Sequence, residues 1–192
     1  MTPTILTDVT DEPISLELAW AHLAIDTEGS PPESAFDVWL EQVGIPGARE
    51  AAENFTGRAF GVKTYRIVMT AFDDEIELPI VPFRDIEEIT YRDEDGVEQT
   101  LGTGDFEVDE SGLIPVLKPT DSWPATDGSA NAVTIDFSVG YDSVPKAALW
   151  GMLLLLGHAF KNREAITDKQ AFEMPLGVEA LLRPYRVKLG MA

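Results

Sequence analysis

The segment that most constrains this chain runs from Pro145 to about Lys161. Pro145 suits the first turn of a helix, where its missing N–H is not needed. Leu149, Trp150, Met152, Leu153, Leu154, Leu155, Leu156 and Phe160 then make the predicted helix apolar nearly all round. Its longest apolar stretch, Ala147 to Leu156, is about ten residues, against the roughly 20 that a bilayer span needs. Such a helix must be covered on several sides. It is therefore expected as the central element of a core or of a subunit interface, with Trp150, Leu153, Leu154 and Phe160 as the candidate core or interface residues.

Around it the periodicity divides the chain. In the N-terminal third, Ser15 caps a stripe formed by Leu16, Ala19, Trp20 and Leu23. Ser34 and Asp37 resemble a capping box ahead of Phe36, Leu40 and Val43. Gly44, Pro46 and Gly47 interrupt that stripe, which predicts a kink or two short helices, and Gly57 is a natural stop. From Val62 to Tyr141 the period shifts to two, with Asp95-Gly96 as a type I′ hairpin signal. Val178 to Tyr185 reads as a short helix ending at Arg183-Pro184. The expected fold class is α+β: a helical bundle frame with an inserted antiparallel β region. The expected divisions are 1–61 (N-terminal helical part), 62–141 (β-rich insertion), 142–183 (C-terminal helices completing the bundle) and 184–192 (C-terminal tail).

Charge narrows the function. Fourteen Lys and Arg face thirty-four Asp and Glu among 192 residues, a formal charge of −20. A net anion of this size repels phosphate, which argues against free-standing electrostatic binding of nucleic acid. Residues 145–192 nevertheless hold seven basic and four acidic side chains, so an acidic body carries a mildly basic C-terminal quarter. The first fourteen residues contain Asp8, Asp11 and Glu12 and no Lys or Arg, unlike a signal peptide, so cytosolic synthesis is expected.

Signatures of catalysis are missing. Cys is absent and His22 and His158 are the sole histidines, which removes thiol nucleophiles, Cys-ligated zinc and His-rich metal sites. Counting Gly96 as the sixth position of a calcium loop places Tyr91 first and Gly102 twelfth, where carboxylates are required. A glycan hydrolase needs two carboxylates flanking a cleft, but pairs such as Glu75 and Glu77 arise by number alone in so acidic a chain. Gly128-Ser129-Ala130 lacks the second glycine of a nucleophile elbow. Phosphate-loop and dinucleotide fingerprints are not found. No catalytic residue, metal or cofactor is expected.

Six strings together carry a resemblance: LELAWAHLAID at 16–26, AAENFTGRAF at 51–60, LPIVPFRDIEEITYRDEDG at 78–96, SWPAT at 122–126, GYDSVPKAALWGMLLLLGHAFKNREA at 140–165 and MPLGVEALLRPYR at 174–186. In this order they resemble the tailed-phage head–tail connector family, also called adaptor or head-completion proteins. The family's second helix usually runs unbroken into the AAENFTGR string, whereas here Gly44-Ile45-Pro46-Gly47 cuts it.

The resemblance implies a non-enzymatic virion protein, made in the host cytoplasm and placed at the head–tail interface. It implies a twelve-fold ring of the protein with itself, bound beneath the portal protein. The ring extends the DNA channel and offers a surface to the next connector, stopper or tail terminator protein. Double-stranded DNA passes through the lumen without specific binding, which carboxylates on the wall would favour. The family grips the portal with its C-terminal segment, and that makes Tyr185, Arg186, Val187, Lys188 and Leu189 the portal-contact candidates. Another ring-forming tail-completion or tail protein is the neighbouring alternative, and a carboxylate-dependent glycan hydrolase the distant one.

Overall fold

β-branched and aromatic side chains at alternate positions carry the middle of the chain into strands. The computed structural model describes residues 2–162 and 176–187. The chain forms two compact units. One joins the residues up to Thr10 to Val62–Tyr141, and the other joins Asp11–Gly61 to the described residues from Asp142 onward. The first unit holds β1 (Thr4–Thr7), β2 (Lys63–Met69), β3 (Ile76–Glu77), β4 (Phe83–Arg92), β5 (Glu98–Thr100), β6 (Phe106–Asp109), β7 (Val116–Pro119) and β8 (Val133–Val139). They make a five-stranded sheet ordered β1-β2-β8-β4-β5 and a three-stranded sheet ordered β3-β7-β6, with all pairs antiparallel.

Register explains why β8 lies at the centre. Ile135 sits opposite Ile67 on one side and Ile89 on the other, while Phe137 faces Tyr65 and Ile86. Val133, Ile135, Phe137 and Val139 are completely buried, and Ile76, Leu78 and Leu117 bring the smaller sheet's apolar residues into the same unit's core. Each such side chain contributes roughly 1.5–3 kcal/mol. On the reverse face the row Arg66–Asp136–Glu88 crosses three strands. Arg66 grips Asp136 bidentately, Nε to Oδ1 at 2.7 Å and Nη2 to Oδ2 at 2.6 Å, which compensates the burial of that carboxylate.

Two local features refine the sequence expectations. Asp95-Gly96 does lie in the β4–β5 hairpin, but the turn is not type I′. Gly96 has φ 75° and Asp95 is not left-handed. Gly96 N–H donates to Asp93 O at 2.8 Å and Asp93 N–H to Val97 O at 3.0 Å. This is a longer loop in which a left-handed glycine follows a β-turn. In β4 the register shifts between Phe83 and Asp85 and again between Ile86 and Glu88. Each bulge sets two residues against one partner, and Glu87 and Glu88 are both exposed at the second.

The second unit is built from α1 (Leu16–Leu23), α2 (Asp37–Trp39), a π-helical turn (Leu40–Gly44), α3 (Ile45–Thr56), α4 (Lys146–Lys161), α5 (Leu176–Leu182) and a 3₁₀ turn (Arg183–Tyr185). Ser15 Oγ accepts Leu18 N–H at 3.2 Å at the start of α1. Asp37 bridges two elements, accepting Trp20 Nε1–H and Ser34 N–H, both at 2.8 Å. Pro46 breaks nothing. The helical path widens into the π turn, where Ile45 N–H reaches Leu40 O, and the proline enters α3 in its first turn. A π turn absorbs the missing donor without ending the helix. Gly44 is required there, because a Cβ would stand 2.6 Å from the Trp39 ring and 3.0 Å from Leu156. Gly57, at φ 70°, ends α3 as expected.

The expected α+β fold on a helical bundle frame is overturned. Among the described residues the architecture is mainly β, with eight strands in two antiparallel sheets and few helices. The periodicity at the N-terminus belongs to an α1 of eight residues, while Thr4–Thr7 is a strand, β1, paired with β2. α5 has seven residues, and α4, with sixteen, is the longest helix described. Helices this short have little seam along which to build a bundle.

Candidate assembly surfaces

Carboxylates concentrate on the first unit, whose residues include nineteen Asp and Glu against five Lys and Arg. Within it Arg66 pairs with Asp136, Lys63 with Asp8, and Lys118 with Glu75 and Asp109. Exposed carboxylates remain at the β4 bulges, on the β4–β5 loop and along β6. Several are held ionised by their loops. The Gln99 amide and the Val97 N–H on Asp93 lower its pKa, Ser111 does so for Asp109, and the Ser129 N–H for Asp127. A general acid needs its pKa moved the other way. Among the described residues no three His, Asp or Glu side chains are placed to hold a metal ion.

Apolar exposure marks a second surface, on α4. Its outer stripe is Lys146, Trp150, Leu154, His158 and Lys161, at the three- and four-residue spacing of one helix face. Trp150 is 56% exposed and Leu154 half-buried. The four candidates thus separate: Leu153 is buried, and Phe160 packs edge-on to Phe36 at 5.1 Å and to Trp39 at 5.7 Å. The inner side of α4 is set by glycines. A Cβ on Gly151 would meet Leu182 of α5 at 3.0 Å, and one on Gly157 would meet His22 of α1 at 3.4 Å. Among the described residues no helix is long and apolar enough to cross a membrane.

The C-terminal candidates are partly tied down. Tyr185 O accepts Arg58 Nε–H at 2.6 Å, and the Tyr185 ring lies 6.5 Å from Phe60. Val187 N–H donates to Thr56 O at 2.7 Å, taking up a carbonyl left open at the end of α3. The Arg186 guanidinium stands over the Phe55 ring at 5.4 Å. Lys188 and Leu189 lie outside the described residues.

One concavity was not anticipated. Ala71, Phe72, Asp74, Pro119, Asp121 and Trp123 are among the residues lining a cavity of about 440 Å³ in the first unit. Phe72 stacks on Trp123 at 4.6 Å and 9°, and Tyr91 meets the Phe72 ring edge-on at 5.9 Å. Trp123 Nε1–H is buried with no hydrogen-bond partner among the described residues. The only sequence signal was the SWPAT string, whose aromatic residue sits beside a proline.

Neither a protein-family model nor a curated protein matches the chain. Solved structures do. A chain of the neck of an empty gene transfer agent particle, computed with C6 symmetry, superposes with TM-score 0.79 at 23% identity, covering 100% of this chain and 99% of that one. A chain of the native gene transfer agent virion gives 0.76 at 23% identity, and one from the native neck computed with C12 symmetry gives 0.71 at 22%, with the same coverage. The chain therefore shares, over its whole length, the fold of chains from gene transfer agent necks, a likeness consistent with the head–tail connector family that its sequence resembles.

Proposed function

We propose that this protein is a structural, non-catalytic neck component of a phage-like particle: an adaptor forming a twelve-copy ring beneath the portal protein. The ring extends the DNA channel and presents a surface for the next connector, stopper or tail terminator. The observation that carries this is the end-to-end likeness of fold to neck chains. The chemistry agrees with it. A unit so rich in carboxylates repels the DNA backbone, as a wall that must not retain a passing polyanion should. The exposed Trp150 and the half-buried Leu154 supply apolar area for contact between ring neighbours. Residues beyond the tethered Val187 would reach the portal, with Tyr185 and Arg186 anchoring the segment to its own subunit.

Imaging of particles from a producing strain tests this directly. The expected density is a ring of twelve copies directly beneath the portal. Absence of the protein from the neck, or six or fewer copies, would overturn it. Truncation after Val187 should yield filled heads lacking tails; full incorporation would move the portal contact elsewhere.

A further inference from the structure

In so acidic a chain an exposed lysine readily finds a carboxylate, yet two on α4 do not. Lys146 and Lys161 stand exposed at the two ends of the α4 stripe, and among the described residues neither is in an ion pair. Between them lies Trp150, the most exposed aromatic side chain described, with the half-buried Leu154 one turn on. Tryptophan is the residue type that most often anchors a protein–protein contact. An occupant of this face must therefore be apolar at its centre and anionic at its margins. Nucleic acid lacks the apolar centre, and a chain of charge −20 repels it.

The chain carries such an occupant itself. Of the large apolar side chains left exposed among the described residues, Val97 alone has exposed carboxylates within three residues on both sides. Glu94 and Asp95 precede it and Glu98 follows. Among the described residues none of the three is in an ion pair. Val97 sits on the β4–β5 hairpin, and β5 is an edge of its sheet, which leaves the hairpin accessible to another chain. Asp93 holds the hairpin in one shape: Oδ1 accepts the Asp95 N–H at 3.1 Å and the Val97 N–H at 2.9 Å, and Oδ2 accepts Gln99 Nε2–H at 2.9 Å. A loop already ordered loses less entropy on docking. The two patches are complementary in charge and lie on different elements, as a head-to-tail contact between identical chains requires.

We propose that the α4 face of Lys146, Trp150, Leu154 and Lys161 docks the β4–β5 hairpin of a second copy of this chain, Val97 lying against Trp150 and Leu154 and its flanking carboxylates facing the two lysines. That the two copies are ring neighbours in a neck rests on the function proposed above; the pairing of the patches does not.

Because the chain has no cysteine, two introduced thiols report the contact without background. Purified Val97→Cys and Leu154→Cys chains, one of them isotope-labelled, are mixed and oxidised. Links between unlike chains should exceed links between like ones. Adding Lys146→Glu/Lys161→Glu to the Leu154→Cys chain should cut the unlike product about tenfold, because like charges then face one another. Adding Glu94→Lys/Glu98→Lys to its partner as well should restore it. An unlike product no greater than the like ones, indifferent to the first reversal, or not restored by the second, overturns the proposal. In particles, a chain carrying both cysteines should oxidise into a ladder of covalently linked copies. Particles that contain the protein but give no ladder also overturn the docking. Particles that lack the protein overturn the neck function instead, and the purified mixture then decides the pairing by itself.

Discussion

Replacing Arg49 by Met tests how the helical unit is held together. Arg49 is 3% exposed on α3; its Nε donates to Glu12 Oε2 at 2.9 Å and its Nη1 to Glu53 Oε2 at 2.9 Å. Glu53 Oε1 in turn accepts the Phe60 N–H at 2.8 Å, so one guanidinium organises the entry to the unit and the end of α3. Without it, carboxylates only 22% and 11% exposed lose their shared counter-charge. Removing one member of a buried pair costs about 3–5 kcal/mol, and the partial exposure of Glu12 favours the lower end. At the urea dependence usual for small proteins, about 3 kcal/mol lowers the midpoint by roughly 1–3 M. For a chain of this size it lowers Tm by about 6–12 °C. Far-ultraviolet circular dichroism through urea and thermal unfolding measures both. Combining Arg49→Met with Glu12→Gln and Glu53→Gln should recover much of the loss, because the unpaired charges go too. A single variant within about 1 kcal/mol of the parent, or a triple variant no better than the single, would refute the assignment of a buried ion-pair network.

Gly44→Ala should cost about 1–3 kcal/mol in urea unfolding, since its methyl would stand 2.6 Å from the Trp39 ring inside the π turn. Arg58→Ala removes the donor to Tyr185 O at 2.6 Å; with a charged donor lost, about 1.5–3 kcal/mol of tethering goes, and the Val187 amide should exchange faster with solvent. Asp93, whose folded pKa lies below the ordinary 3.8, should titrate by carboxyl-carbon NMR below that value. Its hydrogen bonds then support the β4–β5 loop above the unfolded-state value and are lost as pH falls through the folded one. In Gln99→Ala, which deletes the Gln99 Nε2 bond at 2.9 Å, the titration should move back up.

Local signals in the sequence determined the caps, the strands and the charge. Ser15, Gly57 and the alternation through Val133–Val139 act over a few residues, so their consequences were legible without the fold. The absence of thiols and of His clusters likewise disposed of most site chemistries. Tertiary structure decided what depends on distant partners. Thr4–Thr7 is a strand because β2, some sixty residues away, offers it an edge. Pro46 does not end its helix, because a π turn packed around Gly44 takes up the missing donor. The four apolar candidates of α4 looked equivalent in sequence; contacts made by Phe36 and Trp39 drew Phe160 inward and left Trp150 outside. The cavity lay beyond any pattern, since Phe72 and Trp123 are fifty-one positions apart and their rings meet only in the folded first unit. Periodicity reports which side of an element is buried, and packing chooses the neighbour.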